Sequence, residues 1–182
     1  ADLATENLEA LQNGMPNLLR HLDNITSVYK LPCVVAVNKF PTDTQAEVDL
    51  VIEKCKQIGI NVVLSDVWAK GGDGGIDLAK EVITLCENDN DFTFCYEADM
   101  PLADKIDSVV KKIYRGNGVV FTPGAKKQIN ELEKLGFGIL PVCMAKTQYS
   151  FSDDMKKICA PENFDVTVRN VKISAGAGFV VA

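Results

Sequence analysis

The sequence has one histidine, one tryptophan and six cysteines without a C-x-x-C pair. The single histidine, His21, excludes mechanisms that need two, and no Ser-His-Asp or Cys-His arrangement or nucleophile elbow can be assembled around it. His21 lies in a helical pattern and is expected on the surface. The cysteine spacing fits neither a zinc site nor a disulfide framework. We therefore expect reduced cysteines in the core and no metal site.

Long hydrophobic runs and clusters of positive charge are also missing. No run of about 18 apolar residues is present, and the first residues lack the basic and apolar regions of a signal peptide. The net charge of -6 argues against nucleic acid or an anionic membrane as the main partner. The length of 182 residues, 47% of them hydrophobic, is enough for one domain or two small ones. We expect a cytoplasmic protein without a nucleic-acid or membrane partner.

Hydrophobic patterns predict a strand–helix–strand unit in the first half of the chain. Leu31–Val37 and Ile60–Leu64 are continuous apolar runs, which are typical of parallel strands buried on both faces. Between them, Thr44 and Glu47 form a capping box that starts a helix, and Gly59 ends it. The pattern predicts one βαβ unit.

Other elements are predicted on both sides of this unit. A helical pattern over residues 3–29 is expected to divide at Gly14 and Pro16. The remaining patterns predict helices at 76–86, 101–113, 123–135 and 153–159, and strands or extended segments at 92–96, 119–121, 139–145 and 166–173. The order indicates an α/β fold with a mostly parallel sheet flanked by helices. We expect one part over residues 1–90 and a smaller α/β part over 91–182, or a single domain.

A large aromatic residue follows each of the first two predicted strands. Phe40 and Trp68 lie just past the carboxyl ends of these strands, where open α/β sheets bind ligands. They predict a site for a flat ligand between two rings about 7 Å apart. The alternative is that both rings belong to the core. Pro41 and the glycines after Lys70 are turn residues, which favours the binding site.

Two patterns near these strand ends suggest phosphate or nucleotide binding. Gly71–Gly75 offers backbone N–H groups before a helix, with Lys70 adding charge, although a flexible connector is an equal alternative. Asn38-Lys39 is similar to the start of a guanine-reading motif of GTPases. Pro41 stands where that motif has aspartate, and the chain has no G-x-x-x-x-G-K-S/T loop, so guanine-nucleotide binding is the lesser alternative.

Three later segments are polar or rich in glycine. Ser174–Gly178 has the same two interpretations as the earlier glycine cluster, and Lys146–Ser150 is a donor-rich loop after a predicted strand. Asp153-Asp154 is interpreted as the N-cap of a short helix.

Four motifs together resemble the formate–tetrahydrofolate ligase family. They are Asn38–Thr44 (NKFPTDT), Ser65–Gly72 (SDVWAKGG), Leu140–Ser150 (LPVCMAKTQYS) and Ser174–Phe179 (SAGAGF). The resemblance covers essentially all 182 residues and corresponds to the later part of a longer family member. We therefore expect both ends to be cut from a longer chain.

The resemblance implies a P-loop NTPase-like, three-layer fold, with the phosphate-binding loop and the catalytic residues upstream of residue 1. It implies ATP-dependent formylation of tetrahydrofolate by formate through formyl phosphate, giving 10-formyltetrahydrofolate. ATP, Mg²⁺ and a monovalent cation are implied for the parent enzyme, which is expected to be a homotetramer. No cofactor is expected to bind tightly to this chain alone.

Site residues are carried over from the matching motifs. Phe40 and Trp68 would sandwich the pterin of the folate, while Pro41 and Leu64 would line the same pocket. The residues expected near the nucleotide are Lys70, Phe164 and Val166. The chain alone is expected to bind folate weakly or not at all and to be inactive. The alternative is a stand-alone binding or interaction domain that has the fold without the chemistry.

Overall fold

A computed structural model describes residues 5–145 and 151–182, so the donor-rich segment 146–150 lies outside the described residues. The chain divides into two compact units, residues 1–92 and 93–182. Helices and small sheets with parallel strand pairs alternate in it, which confirms the predicted α/β class. In place of one larger sheet, the described residues form sheets of two, two and three strands.

The first unit is built around a βαβ arrangement. Strand β1 (Val35–Asn38) pairs in parallel with β2 (Val62–Ser65), with Val35 opposite Val62 and Asn38 opposite Ser65, which confirms the predicted unit. The elements of this unit are α1 (Leu8–Asp23), a π-helical turn (Asn24–Val28), β1 (Val35–Asn38), α2 (Gln45–Gln57), β2 (Val62–Ser65), α3 (Val67–Lys70), a 3-10 turn (Gly71–Gly75) and α4 (Ile76–Cys86).

Helix α1 is continuous, so the predicted division at Gly14 and Pro16 is wrong. Proline removes one backbone donor from a helix, but Met15 before it and Leu22 after it are buried in one core cluster with Val35 and Cys55, which holds both halves of the helix. The core of this unit consists of Met15, Leu22, Val35, Cys55 and Ile60.

The start and the end of helix α2 are as the sequence predicts. The Thr44 side chain accepts from the N–H of Glu47, and the Glu47 carboxylate accepts from the N–H of Thr44, which completes the capping box. Gly59 follows the helix with φ of 76°, a conformation that glycine adopts without strain.

The second unit contains two small sheets. Strands β3 and β5 pair in parallel, β4 and β7 pair in parallel, and β6 pairs with β7 antiparallel. Its elements are α5 (Leu102–Val109), a π-helical turn (Val110–Tyr114), β3 (Gly118–Phe121), α6 (Pro123–Lys134), a 3-10 turn (Phe137–Ile139), β4 (Val142–Cys143), β5 (Asp165–Val168), β6 (Lys172–Ser174) and β7 (Phe179–Val181). Its main core contains Leu102, Ile106, Ala125, Ile129, Leu132, Val168, Val171 and Val180.

Two local predictions in this unit are wrong. The strand expected over residues 139–145 is limited to Val142–Cys143, because the residues before it form the 3-10 turn. The helix expected over residues 153–159 is absent, since that segment consists of turns. Residues 92–96, predicted as a strand or an extended segment, form no strand.

Side-chain hydrogen bonds explain the missing helix. Asp154 donates its N–H to the Ser152 hydroxyl at 3.1 Å and accepts from the N–H of Lys156 at 2.9 Å. These local bonds replace helical backbone bonds, so Asp153-Asp154 is not the N-cap of a helix. Ser174–Gly178 is likewise a turn, with both Ala177 and Gly178 donating to the Ser174 carbonyl, and it joins β6 to β7.

The cysteines are all free thiols, but they are not all in the core. Cys55 and Cys95 are buried, whereas Cys86 and Cys143 are exposed, which corrects the prediction for these two. Burial raises the pKa of the Cys55 thiol, so it stays protonated and unreactive at neutral pH. Within the described part of the chain, no helix is both long and apolar enough to cross a membrane.

Candidate functional site

The first strand end presents Phe40 on a hydrogen-bonded turn. Lys39 donates its N–H to the Ser65 carbonyl at 3.4 Å, so pairing with β2 continues to the residue before Phe40. Phe40 then donates its N–H to the Asp43 carboxylate at 2.8 Å, while Asp43 donates its N–H to the Phe40 carbonyl at 3.0 Å. The Phe40 residue is 54% exposed, and Pro41 beside it is exposed too.

The turn is attached directly to the capped start of helix α2. The Glu47 carboxylate accepts from the N–H groups of Asn7 at 3.0 Å and Thr44 at 3.1 Å. These two backbone donors, first Asn7 and then Thr44, lower the pKa of Glu47. The carboxylate is therefore ionised at neutral pH and holds the end of the Phe40 turn to the helix.

The second strand end presents Trp68 on a helix that the sequence analysis missed. Helix α3 begins directly after Asp66, whose carbonyl accepts from the N–H groups of Ala69 at 3.2 Å and Lys70 at 2.9 Å. Trp68 is 73% exposed on this single turn. An aromatic residue so exposed is not held by a core, and the prediction that both rings could be core residues is wrong.

Lys70 forms an ion pair inside the same turn. Its ammonium lies 2.8 Å from the Asp66 carboxylate. The hydrogen bond to Asp66, together with the charge of that carboxylate, raises the pKa of Lys70. Lys70 therefore remains a cation at the strand end, and the Asp66 carboxylate already balances part of its charge.

The glycine cluster Gly71–Gly75 is a 3-10 turn that closes on the start of α3. Asp66 donates its N–H to the Gly74 carbonyl at 3.1 Å, and a Cβ at Gly74 would lie 2.3 Å from the Asp66 carbonyl oxygen. The backbones approach too closely for any side chain at this position. The cluster is thus a hydrogen-bonded support for the Trp68 helix and not a loose connector.

The register of β1 and β2 brings the two strand ends to the same edge of the sheet. Asn38 is opposite Ser65, so Phe40 and Trp68 lie two and three residues past a matched pair. Leu64 is 40% exposed just before that edge. Exposed apolar side chains gathered at the carboxyl ends of parallel strands are typical of a ligand site. The residues gathered there are Phe40, Pro41, Leu64 and Trp68.

The two nucleotide residues predicted in the second unit are both buried. Phe164 and Val166 are 3% and 7% exposed and pack with Val110 in a small core cluster. Val166 also lines a cleft of about 270 Å³, while Phe164 is not among the lining residues. Lys157 lies over the Phe164 ring, with its ammonium 5.6 Å from the ring centroid.

The cleft lies where strands β4, β5 and β7 end. Its lining includes the residues that follow these strands, among them Met144, Arg169 and Ala182, and the aromatic residues Tyr114 and Phe151. The Arg169 guanidinium lies 3.7 Å from the Asp153 carboxylate at this cleft. The sequence analysis missed these residues, although a polar pair such as Arg169-Asn170 directly after a strand is a usable signal.

Residues 5–145 and 151–182 contain no group of three or more His, Cys, Asp or Glu side chains placed to hold a metal ion. The Mg²⁺ that the family resemblance implies does not require such a group, because Mg²⁺ is usually held by one or two carboxylates together with substrate phosphates.

Comparison with known families identifies the family of the chain. The model of the formate–tetrahydrofolate ligase family matches residues 1–182, which is the whole of the sequence. The match includes both strand ends with their aromatic residues and the cleft of the second unit. The chain belongs to the formate–tetrahydrofolate ligase family.

Proposed function

We propose that this chain provides the tetrahydrofolate side of a ligase site, with the pterin ring between Phe40 and Trp68. The observation that carries the proposal is the exposure of both rings at one edge of the β1–β2 sheet. A flat heterocycle between them would cover apolar surface that otherwise faces water, and stacking contributes about 0.5–1.5 kcal/mol per aromatic pair beyond that burial. Pro41 and Leu64 would form the sides of the pocket.

The pterin requires a gap of about 7 Å between the two rings, which is twice an ordinary stacking distance. Trp68 lies on a short helix and Phe40 on a turn, so each ring has its own support and is free to lie against one face of the ligand. A complex with tetrahydrofolate would test this spacing directly. Rings turned away from each other in that complex would contradict the proposal.

Within the second unit, we propose that the nucleotide lies against Val166, which forms part of the cleft wall. Phe164 is buried behind Val166 and would support this wall from the core side. Lys70 in the first unit is proposed separately as a phosphate contact, because it provides a positive charge next to the Gly71–Gly75 turn. A positive charge favours the negatively charged oxygens of a phosphate group.

The proposed reaction is the ATP-dependent joining of formate to tetrahydrofolate through formyl phosphate. This chain would bind and orient the folate, while the groups that activate formate would lie in another part of a longer protein. The same proposal includes ATP, Mg²⁺ and a monovalent cation, a homotetrameric assembly, a cytoplasmic location and a P-loop NTPase-like fold. These rest on the family resemblance.

The decisive experiment measures tetrahydrofolate binding to the full-length protein by calorimetry. Phe40→Ala and Trp68→Ala should each weaken binding at least about fivefold, since loss of one ring stacked on a heterocycle costs roughly 1–3 kcal/mol. Ile83→Ala is the control, because it also removes an exposed apolar side chain, one on helix α4 that is 59% exposed. Equal affinities for all three variants and the wild type would overturn the proposal.

Residues 1–182 are tested separately. Trp68 is their single tryptophan, so its fluorescence reports folate binding to this chain without a label. We expect weak binding at most and no ATP-dependent formylation. Turnover by these residues alone would show that the groups activating formate are within them.

A further inference from the structure

The turn that carries Phe40 is closed by one side chain. Phe40 donates its N–H to the Asp43 carboxylate at 2.8 Å, and Asp43 returns its own N–H to the Phe40 carbonyl at 3.0 Å. Each of the two residues is thus the donor in one hydrogen bond and the acceptor in the other. Between them lies Pro41, whose ring fixes φ and which has no N–H to offer as an alternative donor.

Packing does not hold the Phe40 ring, since the residue is more than half exposed. The position of the ring therefore depends on its backbone. A hydrogen bond from a backbone N–H to a carboxylate is stronger than one between neutral groups, and it directs the turn into one conformation. Without the carboxylate, the N–H of Phe40 would donate a hydrogen bond to water instead.

Asp43 is itself held in place by the helix that follows. Thr44 is the N-cap of α2, and its N–H and side chain are both bonded to Glu47. Helix α2 in turn buries Val48 and Cys55. A continuous set of contacts thus runs from the buried face of α2 through Thr44 and Asp43 to the backbone of Phe40.

We infer that Asp43 is a positioning residue for the folate site: its carboxylate holds the Phe40 turn so that the ring is presented to the pterin before the ligand binds. The inference rests on the proposed function. Its physical basis is preorganisation, because an exposed ring that is already oriented loses less conformational freedom on binding. Asp43 acts through Phe40 and makes no contact with the ligand.

The test is a double-mutant cycle for tetrahydrofolate binding to the full-length protein. Asp43→Ala should weaken binding about tenfold, the effect expected from losing one hydrogen bond to a charged group. Asp43→Asn retains an acceptor oxygen and should stay within about threefold of the wild type. In a protein that already carries Phe40→Ala, adding Asp43→Ala should change the affinity by less than about twofold.

The control is Asp49→Ala on helix α2. Its carboxylate is also exposed and accepts a side-chain hydrogen bond at 2.8 Å, from Gln45, so the two substitutions remove similar groups. Asp49→Ala should bind like the wild type. Amide hydrogen exchange at Phe40 provides a readout without ligand, and it should be faster in Asp43→Ala and unchanged in Asp49→Ala.

The outcomes separate this inference from the proposed function. If Phe40→Ala weakens binding but Asp43→Ala does not, the inference fails and the folate site stands. If Asp43→Ala weakens binding equally with and without the Phe40 ring, Asp43 contacts the ligand directly and the inference also fails. If the wild type and Phe40→Ala bind alike, the folate site itself is wrong and the inference falls with it.

Discussion

At the scale of single residues, Gly74 has the strictest environment near the candidate site. A Cβ there would lie 2.3 Å from the carbonyl oxygen of Asp66 and 2.8 Å from the nitrogen of Val67, so backbone would have to move. Gly74→Ala should lower the free energy of unfolding by about 1–3 kcal/mol. It should also shift the fluorescence emission of Trp68, which directly follows Val67 in the chain. Chemical denaturation followed by Trp68 fluorescence measures both effects.

Gly72→Ala in the same turn is the matched control. A Cβ at Gly72 would meet no atom within 4 Å. Its substitution should leave stability unchanged or raise it slightly, because alanine has less freedom than glycine in the unfolded chain. Equal losses of stability in the two variants would show that the close contact at Gly74 is unimportant.

At the scale of elements, a buried lysine joins helix α5 to the 3-10 turn before β4. Lys105 is 0% exposed, and its ammonium donates to the carbonyls of Gly138 at 2.7 Å and Leu140 at 3.1 Å. Burial lowers the pKa of Lys105. Lys105→Met should destabilise the protein by about 1–3 kcal/mol, because the two carbonyls lose their charged donor. Thermal or denaturant unfolding followed by circular dichroism measures this loss.

Lys126→Met on helix α6 is the control for this substitution. Lys126 is exposed, and its replacement by methionine should change the free energy of unfolding by no more than about 0.5 kcal/mol. A Lys105 variant as stable as the Lys126 variant would mean that the carbonyls find other donors or reach water.

At the scale of the whole molecule, the chain consists of two compact units, and the boundary between them in the sequence follows Phe92. Phe92 stacks on Tyr29, with ring centroids 6.4 Å apart, and so belongs to the first unit. Residues 87–91 before it are exposed and follow the end of α4. A glutamate-specific protease should therefore cut after Glu87 before it cuts after glutamates within helices, such as Glu53 in α2 and Glu131 in α6, and mass spectrometry of an early time point identifies the cut.

The substitution Glu87→Gln should remove this cut and leave cleavage at the exposed, non-helical Glu97 unchanged. Glu53 and Glu131 are protected by helical backbone. Early cleavage after Glu53 or Glu131 would contradict the division into units, because it would show that a helix opens before the segment that joins the two units.

The elements predicted well from sequence have strong local signals. Strand β1, helix α2 and strand β2 combine apolar runs with a capping box and a glycine stop, and each signal agrees with the others. The failures occur where distant residues decide the local structure. Residues 137–139 form a turn to which Lys105 donates, and helix α1 continues through Pro16 because its buried residues belong to one core cluster with residues of β1 and α2.

The candidate site was predicted in the same uneven way. Sequence alone drew attention to Phe40 and Trp68, because they follow two predicted parallel strands at the edge where α/β sheets bind ligands. It did not predict that Asp43 closes the Phe40 turn, that Asp66 pairs with Lys70, or that Gly74 supports the Trp68 helix. These contacts depend on backbone angles and on atoms brought within 3 Å of each other, which periodicity does not specify.

Sequence by itself determined the α/β class, the βαβ unit and the two aromatic residues, because each depends on the order of neighbouring side chains along the chain. Tertiary structure decided which of the candidate residues face water. Phe40 and Trp68 are exposed at one sheet edge, whereas Phe164 and Val166 are buried, although all four are apolar residues near strand ends or within strands. The reason is that the burial of a residue depends on which distant parts of the chain pack against it, and only the folded chain contains that information.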